Sequence, residues 1–348
     1  MLGALAVLVA GCGGKGSGDR STGSPPRDFV GHPGYRERGL ARIRGAGVGL
    51  IRQTFDWAGI ERRPRRYSLH AYDRFVVSAA ERGLQVLPIL FNPPAFRSSA
   101  PERGARRGTY PPRRPAEMGR FAALLVDRYG PSGSLWRARP GVRRLPIRSW
   151  QVWNEPSVSA YWPSGPDAGE YAALLRAVGA AIKRRDPGAE IVTAGIPASS
   201  SGVPLLRYVD DLYLAGAGSA FDVLAIHAYA RDPDDVLAAV EEARGAMRRR
   251  GDARKPMWIT ELGWASDGPP SEFTVGAGRQ AAHIDRTLRA LTAARARLGL
   301  RGVVYYGWRD GRPYEGGRDF WGLHTGLLDL RGRPKPALAS FEAAVRGR

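Results

Sequence analysis

Cysteine is nearly absent from this 348-residue chain. Cys12 is the only one, which excludes an intramolecular disulfide. Histidine is scarce too. His32, His70, His227, His283 and His324 are the whole set, and no two stand at metal-ligand spacing, so no metal site is expected. Acidic residues are few, 33 against 53 lysines and arginines, which leaves a formal charge of +20. A field of that sign attracts anions. The arginines are scattered, however, and no nucleic-acid-binding motif accompanies them, so nucleic acid is not the expected partner. The densest local group, residues 97–114, reads as a long basic loop that could meet an acidic polymer. Also missing is any apolar run of the roughly 20 residues that a membrane-spanning helix needs.

The apolar runs that do occur are short. Residues 2–10 have the length and small aliphatic character of a secretory h-region. With them, Leu8-Val9-Ala10-Gly11-Cys12 resembles a bacterial lipoprotein signal, in which the cysteine becomes the lipidated first residue. The basic residues expected ahead of the apolar run are missing. Residues 13–27 are rich in Gly, Ser and Pro and read as a flexible tether. The resemblance implies a signal over 1–12, a tether over 13–27 and a folded domain over 28–348. It also implies a secreted protein held through Cys12 on the outer face of a bacterial membrane.

From residue 28 onward the pattern is strand, then helix, repeated. Strands are expected at 28–31, 48–55, 84–91, 147–153, 190–194, 221–228, 257–260 and 302–306. Helical spacing falls between them, and a last helix is expected at 336–345. The strands are near-continuously apolar, as strands buried on both faces are. Eight such alternating units predict an α/β fold, a single (β/α)8 TIM barrel. A doubly wound sheet would carry a glycine-rich phosphate turn after its first strand, and residues 28–35 have none.

Barrel active sites lie at the C-terminal strand ends. There the chain gathers Arg52, Asp56 and Trp57 after the second strand and Asn92 after the third. Asn154 and Glu155 follow the fourth, His227 and Tyr229 the sixth, Glu261 and Trp264 the seventh, and Trp308 and Asp310 the eighth. Glu155 and Glu261 are the only glutamates at strand ends, and each is flanked by tryptophan. Strands four and seven face each other across an eight-membered ring. A facing pair of carboxyl groups is what cleavage of a glycosidic bond requires: one protonates the leaving oxygen, the other attacks or activates water. The structural alternative is an ion pair with an arginine such as Arg52.

Trp153-Asn154-Glu155-Pro156 and Thr260-Glu261-Leu262-Gly263-Trp264 resemble the clan A glycoside hydrolases, and the wider pattern is similar to families 39 and 5. The resemblance covers roughly residues 45–310 and is specific only at the two glutamate motifs. It implies a retaining glycosidase with no cofactor, probing a carbohydrate, with Glu155 as general acid/base and Glu261 as nucleophile. It further implies that Asn154 binds the hydroxyl next to the reacting carbon and that Arg52 keeps Glu261 ionised. His227 and Tyr229 would line the site, and Trp308 would floor the subsite. Trp57, Trp162 and Trp264 are further candidates for sugar contact, with core packing the alternative for Trp57 and Trp162. Ser157 stands where many relatives carry Asn, which removes one expected contact. Two competing readings use the same barrel: a non-catalytic, lipid-anchored carbohydrate-binding protein, and a transglycosylase.

Overall fold

The computed structural model describes residues 6–11, 37–101, 109–198, 202–314 and 317–347. The first part of the chain contributes β1 (Ala6–Gly11), α1 (Glu37–Gly45), β2 (Leu50–Asp56) and the short α2 (Trp57–Ile60). A small hairpin follows, β3 (Glu61–Arg63) and β4 (Arg66–Tyr67), then α3 (His70–Glu81), β5 (Gln85–Phe91), α4 (Pro115–Tyr129) and α5 (Ser134–Ala138). Next come β6 (Ser149–Val152), α6 (Ala168–Arg185), β7 (Glu190–Val192), β8 (Ile196–Pro197) and α7 (Leu205–Leu214). The rest is β9 (Leu224–His227), α8 (Pro233–Arg249), β10 (Met257–Glu261), α9 (Ala277–Leu298), β11 (Leu300–Tyr306) and α10 (Pro336–Arg346). No described helix is long and apolar enough to cross a membrane.

All pairings in the main sheet are parallel, in the order β7-β6-β5-β2-β1-β11-β10-β9-β8. Its two ends, β7 and β8, are consecutive pieces of one strand interrupted at Thr193, Ala194 and Gly195. A parallel bridge from Val192 to Val223, and the Thr193 N–H donating to the Val223 carbonyl at 3.0 Å, join that strand to the approach of β9. The ring therefore has eight members, and β6 and β10 are its fourth and seventh.

Side chains two apart on a strand share a face. Along several strands the inward face changes from apolar to polar as it nears the C-terminal end. Leu50 is followed by Arg52, Ala225 by His227 and Trp258 by Thr260. Leu50, Leu87, Val192, Val223, Ala225, Trp258 and Val304 pack together as a separate cluster, the floor inside the ring. The polar set stands on that floor. Outside the ring, helices cover the strands with a much larger core that includes Trp150, Tyr171, Leu175 and Ile259, all fully buried. Each such side chain contributes about 1.5–3 kcal/mol on burial. Local signals agree with this packing: Asp167 caps α6 by accepting from the Glu170 N–H at 2.9 Å.

The first slot differs from the sequence expectation. Residues 28–31 lie outside the described residues, as do Cys12 and the tether. The strand between β2 and β11 is β1, with Leu8 opposite both Leu50 and Val304. Ala-Val-Leu-Val-Ala-Gly is a short, continuously apolar run, the composition expected of a strand with a parallel neighbour on each edge. The same residues carry the expected h-region. The β3–β4 hairpin and the break in the fifth strand are also absent from the sequence reading.

Candidate active site

The fourth strand delivers Glu155 through a strained turn. Trp150 and Val152 point into the outer core and Gln151 points into the ring. The Trp153 N–H still bonds the Leu90 carbonyl at 3.0 Å, continuing the sheet. Trp153 then adopts φ 74° and Glu155 φ 44°, both in the left-handed region that side chains other than glycine seldom occupy. The turn lifts the Glu155 carboxyl off the strand and into the mouth. Strain of this kind is held only where the surroundings enforce it. Here the Trp153 indole N–H donates to the Tyr161 carbonyl at 2.9 Å, and the ring packs edge-on against Phe91 and Trp162.

The seventh strand delivers Glu261 by a different device. Ile259 lies opposite Ile226, but Glu261 lies opposite His227, so the register shifts by one residue between them. A bulge of this sort re-aims a side chain, and it brings Glu261 onto the inward side beside Thr260. Both carboxylate oxygens are then held. Arg52 Nη1 donates to Oε1 at 2.6 Å and the Tyr229 hydroxyl to Oε2 at 2.8 Å.

Arg52 is fully buried. Its Nε donates to Gln151 Oε1 at 2.6 Å and its Nη2 to Asn154 Oδ1 at 2.8 Å. One guanidinium thus ties the seventh strand to the turn that carries Glu155. Asn154 spends its oxygen on Arg52, so its amide N–H groups are the ones suited to a sugar hydroxyl.

His227 completes the set. Its Nδ1 is 2.6 Å from Glu155 Oε1 and 3.6 Å from Glu261 Oε2. Burial pushes the imidazole down to about 3, with Arg52 adding to the shift and Glu261 opposing it. The ring is therefore neutral. Its far edge meets the broken fifth strand, where a Cβ on Gly195 would sit 1.8 Å from Nε2. Only glycine leaves room for the imidazole there.

Glu155 faces an uncharged ring in an apolar setting, and burial raises its carboxyl to about 7 against the pull of Arg52. Glu261 is instead gripped by a cation and a hydroxyl donor. The two carboxyl groups and His227 offer atoms within 4.8 Å of one another. Retaining glycosidases set their carboxyls about 5–5.5 Å apart, and inverting ones about 6.5–9.5 Å. The same three residues could be read as metal ligands, but the geometry argues otherwise. Bonds of about 2.0–2.2 Å to one ion keep adjacent ligand atoms roughly 3 Å apart. Glu155 Oε1 and His227 Nδ1 are closer than that, at 2.6 Å, and Arg52 already neutralises Glu261.

Residues 149–291 match the family model described as a glycosyl hydrolase catalytic core. The matched segment runs from β6 into α9 and holds both glutamates. The fold is similar to that of a family 39 glycoside hydrolase from Bacteroides cellulosilyticus, with a TM-score of 0.68 and 20% identity over 98% of this chain. It is also similar to a family 39 enzyme from Xanthomonas axonopodis (TM-score 0.67, 16% identity, 98% of this chain and 67% of that one). A family 39 β-xylosidase from Caulobacter crescentus gives a TM-score of 0.65 at 17% identity, over 98% of this chain and 71% of that one. This chain spans 63% of the length of the Bacteroides protein. No curated protein sequence matches it.

Around the two glutamates the tryptophans divide. Trp57 is 1% exposed, donates to Glu61 Oε2 at 2.6 Å and stacks on Phe121. Trp162 donates to Glu170 and packs between Trp153 and Tyr171. Trp264 donates to the Ala230 carbonyl and packs on His283. All three are core residues with their indole nitrogens committed, which corrects the expectation of sugar contact. Trp308 stands at the mouth end of β11, 4% exposed. A ring cluster adjoins the nucleophile. Trp321, Phe273 and Tyr306 pack around Tyr229 at centroid distances of 5.1, 5.9 and 6.3 Å. Trp321 opens a single 3-10 turn and Phe273 lies in a loop, where no periodicity marks them. Gln151 was missed, although its signal is present: it is the polar member of the run Trp150-Gln151-Val152.

Proposed function

We propose that this protein is a retaining glycoside hydrolase in which Glu155 is the general acid/base and Glu261 the nucleophile. The observation that carries the reading is the unequal treatment of two carboxyl groups within 4.8 Å of each other. Glu155 keeps its proton near neutral pH and can give it to a leaving glycosidic oxygen. Glu261, paired with Arg52, attacks the anomeric carbon and forms a covalent glycosyl-enzyme. Glu155, now ionised, then takes a proton from the water that releases the sugar. Replacing either glutamate by glutamine should abolish turnover with the fold intact. Azide should restore turnover to Glu261→Gly with inverted product, and to Glu155→Gly with retained product. Full activity in both glutamine variants would refute the assignment.

A polysaccharide substrate is supported by the loops around the mouth and their aromatic side chains, and acidic polymers are the first class to screen given the charge of +20. Anchoring through Cys12 on an outer membrane face is a separate proposal, supported by the resemblance of residues 8–12 to a lipoprotein signal. Processing at Cys12 would remove β1, so it requires that other residues fill that slot. Labelling with a radioactive fatty acid, lost in Cys12→Ser, tests it.

A further inference from the structure

The β3–β4 hairpin is built against local preference. Arg63 and Arg66 are directly opposite each other across the two strands, and like charges in that relation repel. The turn between them is Pro64-Arg65. Arg65 has φ 61°, at a turn position where Gly or Asn is the usual occupant. Arg62, Arg63, Arg65 and Arg66 are all exposed, and none has a carboxylate partner among the described residues.

The strained turn is nevertheless held firmly. Glu61 is fully buried and accepts from the Arg65 N–H at 2.8 Å, from the Trp57 indole at 2.6 Å and from Arg97 Nη2 at 2.8 Å. Arg97 also pairs with Glu117 of α4 at 2.9 Å. Trp57 directly follows the mouth end of β2, and Arg97 lies in the segment that follows β5. The hairpin is therefore braced to two strand-end segments on the catalytic side of the barrel. Arg97, the best-placed member of the basic loop, is used up in this bracing. The four hairpin arginines are not.

We propose that this hairpin is an outer subsite that binds the carboxylate groups of an acidic polysaccharide leading into the mouth. This rests on the glycosidase reading and narrows its substrate class. Guanidinium groups match carboxylates with two parallel hydrogen bonds, and a rigid hairpin presents several at little further ordering cost. An anionic chain would also relieve the repulsion between Arg63 and Arg66.

The test reads binding without turnover, so a failed subsite and a failed glycosidase assignment are separate results. The full chain carrying Glu261→Gln is titrated with polygalacturonate, alginate and carboxyl-reduced polygalacturonate at several salt concentrations. The acidic polymers should bind and weaken steeply with salt, and the reduced polymer should not bind. Adding Arg62→Gln, Arg63→Gln and Arg66→Gln should weaken acidic-polymer binding by about tenfold and flatten its salt dependence. A control carrying Arg143→Gln, Arg144→Gln and Arg249→Gln removes the same charge from the opposite end of the barrel. Equal loss in the control would show a diffuse field and overturn the proposal. So would absence of acidic-polymer binding at low salt, or unchanged binding in the hairpin variant.

Discussion

Gln151 should matter as much as residues that touch a sugar, because it fixes the one cation on which both sides of the site depend. Its amide has a single workable orientation. Arg52 Nε can only donate, so it must face Oε1, at 2.6 Å. The Thr193 carbonyl can only accept, so it must face Nε2, at 3.0 Å. Thr260 Oγ1 lies 3.3 Å from the same nitrogen. Methionine has similar volume but neither function. Gln151→Met would leave a buried guanidinium N–H and a buried carbonyl without partners, at a cost of about 1–3 kcal/mol each. The expected loss of stability is about 2–6 kcal/mol in all. Arg52 would turn, carrying Glu261 and Asn154 with it, and displacements near 1 Å in such groups can lower turnover by about 100-fold. Gln151→Glu tests the electrostatics separately. A second carboxylate on Arg52 would compete with Glu261 for the guanidinium and repel it. Gln151→Glu should therefore lower kcat even where the fold holds. The assay is a pH profile of kcat and kcat/KM on a chromogenic glycoside, with thermal melts of both variants. The wild-type kcat in either folded variant would refute the reasoning.

Four further outcomes follow from the same geometry. The Glu155 carboxyl is raised from 4.5 to about 7, so kcat/KM should fall as pH rises through about 7 and the acid loses its proton. The same shift means that the folded chain binds this proton more tightly than the unfolded chain, so stability is lost between about pH 4.5 and 7. Glu155→Gln should accordingly melt higher than the wild type at pH 8, by at most about 3 kcal/mol, and show no difference at pH 4. Gly195→Ala would drive a methyl group into His227 Nε2, so it should cost about 1–3 kcal/mol in denaturant melts and disturb Glu155 enough to lower kcat. Tyr229→Phe removes the donor to Glu261 Oε2 and should reduce kcat/KM by about 10- to 100-fold, the equivalent of one hydrogen bond to a charged group.

Seven of the eight ring strands were legible because a strand buried on both faces must be apolar along its length, and few other segments are. The first was not. Two short apolar runs, residues 6–11 and 28–31, compete for one slot, and composition does not rank them. The hairpin was invisible for the opposite reason: Glu61-Arg62-Arg63-Pro64-Arg65-Arg66 has no apolar alternation, and its closure depends on a buried glutamate meeting a tryptophan and an arginine from elsewhere. Tryptophans beside the glutamates misled for a geometric reason. Trp264 lies three residues past Glu261, and the chain has turned by then, so its ring enters the outer core against His283. Proximity along the chain at a strand end does not imply proximity at the mouth.

The two glutamates themselves show where reading a chain stops and folding begins. Their positions were readable, since each ends an apolar run on the C-terminal side of its strand. Their roles were readable only through the resemblance of the two motifs to the clan A glycoside hydrolases; the physical cause of the difference was not, because Glu155 and Glu261 are chemically identical side chains. What separates them is contributed by other strands. The second sends a fully buried arginine to Glu261, and the sixth sends a neutral histidine to Glu155. Each assignment also needs a backbone irregularity, a register shift before Glu261 and left-handed residues around Glu155. If either were regularised, the carboxyl would keep its place in the sequence but lose its partner. The acid and the nucleophile are thus properties of pairs, Glu155 with His227 and Glu261 with Arg52, and of the gaps that let those pairs meet.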